Sequence, residues 1–439
     1  MSFLDFTSAN TALWNFIIQM GILAGLMLLA NVLRRKLEFI RKSMVPTAVL
    51  GGFLALFIRT AGILPMDRDF LEMVTYHGIC IGFIALSLRI AEKYSETKKK
   101  DLTGLKSGAF IVSTYLVQGI LGLIISVTLA YTVMPGLFKA SGILLPMGYG
   151  QGPGQANNVG STYEQLGFAG GQSFGLSIAA AGFVCASLVG VVYLNLVARD
   201  RRRKDTKYIS GSVTIEDFQD SNEIPISESI DKFSVQIALV LLIYLGTYLV
   251  TVGITSLLKK LSPGLAESLI PVIWGFNFIV GSILAILGRA GLSLLRKVKL
   301  MNRQYQNNYL LSRIAGMAFD FMTIAGIAAI DFRELEGLWI PFVIMAVLGG
   351  IVTYFYCRWV CKRIYPAYEH EGMVSMYGML TGTISSGILL LRELDPEFKT
   401  PAANNLLTGS SFAIVLGAPM LVLIGMAPKS DLMLLITFG

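Results

Sequence analysis

Two stretches of this chain put polar side chains between long apolar runs. The first, LLPMGYGQGPGQANN (144–158), carries the amides of Gln151, Gln155, Asn157 and Asn158 on a backbone loosened by Gly148, Gly150, Gly152 and Gly154. The second, YGMLTGTISSG from Tyr377, carries Thr381, Thr383, Ser385 and Ser386 around Gly382. Amides and hydroxyls are oriented dipoles, and glycine lets the main chain itself approach a ligand. Such groups can replace the hydration shell of a small solute or an ion. A third feature is Asp320, in MAFDFMTIAGIAAI near the middle of an apolar segment. An intramembrane carboxylate is costly and reads as functional, either as a cation ligand or as a group whose proton exchanges. The alternative is a structural partner for a nearby cation or backbone N–H.

The rest of the chain must position these residues, and its composition says in what medium. Of 439 residues, 54% are hydrophobic and 15% charged, with a mean hydropathy of +0.65. A soluble chain carries about 25% charged residues. Stretches such as 233–258 hold no charge, and about 20 apolar residues suffice to cross a bilayer. The chain therefore reads as an all-α polytopic membrane protein. The net charge of +8 then reports loops kept on the cytoplasmic side and not a nucleic-acid partner. The beginning, MSFLDFTSAN, lacks the basic region of a signal peptide. Cys80 and Cys185 lie mid-span, and Cys357 and Cys361 are one helical turn apart. They read as packing residues without a disulfide framework.

Apolar segments predict helices at 11–33, 44–64, 72–91, 107–134 and 172–199, then at 233–258, 264–289, 310–330, 337–361 and 403–426. The stretches 142–166 and 370–393 are apolar only in part and read as re-entrant segments. With the N-terminus outside, most of the 36 Lys and Arg residues fall in inside loops, as the positive-inside rule requires. Outside segments such as Asp67, Arg68 and Asp69, or 331–336, are mainly acidic. Ten spans with both termini outside satisfy this asymmetry. Residues 201–232 open on RRRK, end in an acidic, Ser-rich run, and read as a cytoplasmic linker.

That linker separates 1–200 from 233–439, and the two parts echo each other. SMVPTAVLGGFLALFI around Pro46 matches SLIPVIWGFNFIVGSI around Pro271 in spacing. The glycine-rich stretches follow in the same order, as do GGQSF (170–174) and TGSSF (408–412). Five spans is an odd number, so the second part must be inserted upside down. The expectation is two inverted five-helix repeats, each with a re-entrant segment, whose tips meet at one site. Such repeats are typical of secondary transporters. Non-helical backbone is tolerated at membrane depth only when buried or lining a cavity. Gly-Tyr-Gly at 148–150 occurs once, whereas a potassium filter gathers four identical loops. A surface loop remains the plainer alternative.

In these residues the chain resembles the bacterial sodium/glutamate symporters. The resemblance covers nearly the whole chain in organisation and is closest around 144–190 and 373–420. The family's first segment typically reads Gly-Gly-x-Gly-x-Gly after a Ser-rich approach, from which this chain departs. The resemblance implies ten spans in a bacterial inner membrane and a homodimer. It also implies sodium as coupling ion, with uptake of glutamate or a related small anionic solute, amino acid or dicarboxylate. An elevator-like movement of a core against a fixed scaffold would carry the solute.

The candidate substrate contacts are Gln151, Gly152, Gly154, Gln155, Asn157, Thr381, Thr383, Ser385 and Ser386. Arg313 is the reachable cation for a second carboxylate, unless it snorkels to the interface, as Arg392 and Arg59 would. The candidate ion ligands are Asp320, Asn158, Gly382, Asn405 and Ser411. Asn404, Ser410, Gln172 and Ser173 could cap helices or face the site. His77 reads as a packing histidine that could titrate, and the GxxxG pairs Gly21–Gly25 and Gly78–Gly82 as helix contacts. No HExxH or P-loop occurs, so an enzyme or an ATP-driven pump is disfavoured and no cofactor is expected beyond sodium. A proton-coupled carrier and a passive channel are the competing readings.

Overall fold

The computed structural model describes residues 11–42, 45–90, 102–201, 232–261, 277–301, 303–395 and 400–439, with residues 266, 270 and 273–275 between them. The linker expected at 201–232 lies almost wholly outside the described residues, as does Pro271 itself. Of the described residues, 85% are helical. Among them, eight helices are long and apolar enough to cross a membrane. In chain order the helices are α1 (Thr11–Lys36), α2 (Glu38–Lys42), α3 (Thr47–Thr60), α4 (Arg68–Leu88), α5 (Thr103–Tyr131), α6 (Leu144–Tyr149), α7 (Pro153–Gln165) and α8 (Gly171–Arg201). There follow α9 (Lys232–Leu261), α10 (Asn277–Lys297), α11 (Asn308–Ala328), α12 (Trp339–Ile364), α13 (Glu369–Leu380), α14 (Ile384–Leu394), α15 (Ala402–Met426) and α16 (Asp431–Phe438).

The span expected at 44–64 forms only the 14-residue α3. Its length of about 21 Å falls short of the roughly 30 Å hydrocarbon core. Pro46 stands at its N-cap, and Gly62, at φ 68°, turns the chain just beyond its end. The outer faces are apolar. Only 17% of the α9 span is buried inside the protein, and Leu242 and Leu249 are among its exposed side chains.

Packing sorts the helices into two bodies that ignore chain order. In one, α11 lies against both α3 and α4, α10 against α4 and α9, and α1 against α3. Glycines set the close approaches: Gly78 faces the Ala318 carbonyl and Met322, and Gly82 faces the Phe319 ring. Gly21 and Gly25 face no neighbouring helix. In the other body, α5 packs on α12 and α15, and α8 on α6, α7, α12, α13 and α14. The main bridges between the bodies are α7, against α4 and α11, and α8, against α11. Leu176, Ala180 and Phe183 of α8 bury themselves there with Leu71, Ile324 and Ile327.

Along α8 the two glycine-rich stretches take fixed places. Gly160 stands against Gly171 and Gln172, Gly175 against the Ala156 carbonyl, and Gly148 against Ile178. Helices α6 and α7 are therefore two arms of a hairpin, hairpin one, lying along the first half of α8 and turning at 150–152. Gly190 meets Leu390, and Gly182 meets both the Tyr149 ring and the Thr381 carbonyl. Helices α13 and α14 form a second hairpin that turns at 381–383 and lies along the other half of α8.

Candidate functional site

The two turns meet beside the middle of α8. Gly152, at φ 81°, adopts the left-handed region that side chains resist. A Cβ placed on it would stand 3.4 Å from both the Gly382 carbonyl oxygen and the Thr383 methyl. Gly182 supplies the platform: a Cβ there would lie 2.3 Å from the Thr381 oxygen. Pro153 occupies the first turn of α7, where its missing N–H costs nothing. Neither Gly152 nor the extended Thr383 places a side-chain cap on the helix that follows. The first arms thus end in spare carbonyls, and the second arms begin with spare N–H groups.

Buried polar atoms without partners gather around this meeting point. Gln155 is 1% exposed, and neither its amide oxygen nor its amide nitrogen has a hydrogen bond among the described residues. Ser386, in the first turn of α14, is equally buried and its hydroxyl equally unpartnered. Asn158 donates to the Gly275 carbonyl (2.6 Å) and leaves its oxygen free. Gln118 of α5 donates to the Leu380 carbonyl and to the Thr353 hydroxyl, each at 2.9 Å. Its own oxygen is unpartnered and lies beside Gly150. Sequence reading missed Gln118. The available signal was a lone amide in the apolar run STYLVQGILG.

Other expected site residues take different posts. The Thr381 hydroxyl bonds back to the Tyr377 carbonyl (2.8 Å). Gly154 packs against Ile79 and Met322 across the seam between the bodies. Gln151 and Thr383 are half-buried at the turns. Asn157 accepts from Gln172 (2.7 Å). Asn405 donates to the Tyr368 hydroxyl (2.6 Å) at the far end of α13, away from the turns. Arg313 is exposed, its guanidinium 4.9 Å from the Tyr309 ring centre. The side chains of Ser385 and Ser411 lie outside the described residues. Asp320 is half-buried, with no hydrogen bond or ion pair among the described residues. On α11, Met322 and Gly326 face Gly154 and Pro153, whereas Ile324 and Ile327 face Gly51 and Gly52 of α3. At 100° per residue, Asp320 shares the α3 side and points away from the hairpin turns.

A chain of polar contacts closes the seam at the start of α8. Arg68 pairs with Glu334, with Glu72 (2.6 Å) and with the Gln172 carbonyl oxygen (2.9 Å), and Gln172 passes the contact on to Asn157. The Ser173 hydroxyl donates to Glu334 (2.7 Å). Arg59 does not simply reach outward. It donates to the Ala328 (2.6 Å) and Ile330 carbonyls, satisfying the end of α11. Just beyond the end of α11, the Arg333 guanidinium holds the Asp331 carboxyl down at a pKa of about 2.

Chemically, the meeting point offers donors from two helix starts and acceptors from two helix ends and two buried amides. That set can hold an anion and a cation side by side. No protein-family model and no curated protein matches the chain.

Proposed function

We propose that the chain is a secondary active transporter that couples sodium to the uptake of glutamate or a related small anionic solute. The observation that carries this reading is the encounter of the two hairpin turns, Gly152 against Gly382 and Thr383, beside the middle of α8. Hairpins that approach one point along opposite halves of a spanning helix are re-entrant segments of two inverted repeats, α1–α8 and α9–α15. The recurring pairings support it: α3 lies on α11, and its counterpart α10 lies on α4. Interrupted helices near the midplane are where such carriers bind solute and ion.

The two bodies supply the parts of an alternating-access device. Helices α1, α3, α4, α9, α10 and α11 form the scaffold. Helices α5–α8 and α12–α15 form the elevator that carries both hairpins, in an inner membrane with both termini outside. The N–H groups opening α7 and α14, with Gln151, Gln155 and Ser386, bind the carboxylate. The carbonyl ends of α6 and α13 take the sodium. Arg313 and Asn405 stand apart from the turns and are not needed in this scheme. The decisive experiment is uptake into proteoliposomes. An inward sodium gradient should concentrate labelled glutamate or a dicarboxylate, and collapse of that gradient should stop accumulation. Downhill flux alone would make the protein a channel.

Asp320, a lone carboxylate within a span, favours proton coupling as the second reading. Under that reading uptake follows an imposed pH gradient and Asp320→Asn abolishes it. Unchanged sodium-driven uptake in Asp320→Asn would take this residue out of coupling.

A further inference from the structure

We propose that Gln118 completes a monovalent-cation site where the two hairpin turns meet. This rests on the transporter reading and names a residue that lies outside both hairpins. Gln118 comes from the middle of α5, is fully buried, and touches both turns at once. Its orientation is forced. The Leu380 carbonyl can only accept, so the nitrogen must face hairpin two, and the nitrogen's second hydrogen goes to Thr353. The amide oxygen is thereby turned toward hairpin one, 2.9 Å from where a Cβ on Gly150 would stand. No donor among the described residues reaches it.

An acceptor fixed by two hydrogen bonds and denied a donor is expensive to bury unless something positive binds there. The surroundings are of the same sign. Helix α13 ends at Leu380 and α6 at Tyr149, so both present the negative ends of their dipoles to this point. The Thr381 and Gly382 carbonyls lie at the same turn, and the Gln155 oxygen, also without a donor, is set on the opposite hairpin. Neutral oxygens without a carboxylate suit a singly charged ion better than a divalent one. The arrangement also ties occupancy to geometry, because Gln118 reads hairpin two with its nitrogen and hairpin one with its oxygen. A cation bound there holds the turns together.

A compact positive charge can come from sodium or from the ammonium group of an amino-acid substrate, and sodium is the assignment made here. The test uses the purified full chain in detergent, with thermal unfolding followed against sodium chloride at ionic strength held by choline chloride. No organic substrate is present. Sodium should raise the melting temperature saturably. Gln118→Leu should raise the half-saturating sodium concentration about tenfold or more, the loss expected for an acceptor to a charge. Gln118→Glu, isosteric and charged, should lower it at pH 8, and this variant carries the test if the leucine variant does not fold. Thr353→Val loosens the same amide without removing its oxygen, so it should lower the melting temperature and leave half-saturation at the wild-type value.

Unshifted half-saturation in both Gln118 variants of a sodium-responsive protein overturns the proposal alone. A wild type indifferent to sodium refutes sodium coupling itself. Glutamate and glutarate, which differ by the ammonium group, form the last arm, added in choline chloride. If the Gln118 variants change only the preference between these two, the occupant is the ammonium and the sodium assignment falls.

Discussion

The two hairpins are built alike and seated differently. Hairpin one is gripped by both bodies. Its second arm packs on α4 and α11 as well as on α8, Gly154 touches Ile79 and Met322, and Asn158 reaches the Gly275 carbonyl. Hairpin two has its main partners, α8, α12 and α15, within its own body. Both tyrosines that anchor the first arms donate to one helix, Tyr149 to the Ala346 carbonyl and Tyr377 to that of Gly350. The anchoring to α12 is shared, and the grip of the body that holds α4 and α11 is not. A shared site needs only one gate shut at a time. In the proposed mechanism this conformation is shut along hairpin one, at the start of α8, and free to open along hairpin two.

The comparison can be broken at several points. The severest is Gly182, on which both turns rest. Valine there would drive its Cβ into the Thr381 carbonyl. Overpacking costs about 1–3 kcal/mol, and here it falls on the site itself. Initial uptake rates should drop by about fivefold to a hundredfold while the protein still purifies as a folded species. Near-normal uptake would mean that the turns need not meet.

Next in size is the unequal accessibility of the hairpins. A membrane-impermeant maleimide should label Thr383→Cys from the side where α8 ends and leave Asn157→Cys unlabelled from either side. Equal labelling of the two would erase the asymmetry.

Arg68→Gln sharpens the same contrast. It removes the charge that joins Glu334, Glu72 and Gln172. With the pair partly solvated, the loss should be about 1 kcal/mol, seen as a fall of a few degrees in melting temperature. Asn157→Cys should become reactive from the side where α8 begins, with labelling of Thr383→Cys unchanged.

The smallest effect concerns Asp331, at the rim of that gate. Its carboxyl titrates lower in the folded protein, at about 2, than in an unfolded chain, at about 3.9. Its stabilising contribution is therefore complete above about pH 4 and is lost as the pH falls from there toward 2. Asp331→Asn should lower the melting temperature by a constant amount between pH 5 and 8, and its difference from wild type should shrink as the pH falls from about 4 toward 2. A difference that changes between pH 5 and 8 would assign the titration to another group.

Much of the architecture was legible in the residues because hydropathy acts locally. Eight of the expected spans coincide, within a few residues, with helices α1, α4, α5, α8, α9, α11, α12 and α15. The segment 44–64 was overread because apolar composition continues past the turn at Gly62. Gly152 and Gly382 were legible as backbone breaks, and Gln155 and Ser386 as polar groups in apolar surroundings, which the structure buries close to the turns. Asp320 stood out by its cost in a membrane, yet chemistry does not say which side of a helix faces a partner. Asn405 and Arg313 were plausible by type and are placed elsewhere by packing. Gln118 and the Arg68 contacts went unnoticed because each depends on partners more than 100 positions away in the chain.

The amino-acid order by itself determined that this is a chain of membrane-crossing helices with two glycine-loosened breaks, since burial of apolar surface and backbone satisfaction in lipid are decided segment by segment. Only the tertiary structure decided which helices share a body, that the two breaks touch, and which buried amide oxygen is left facing them. Those outcomes depend on helix rotation and on contacts between distant segments, and no local run of residues contains them.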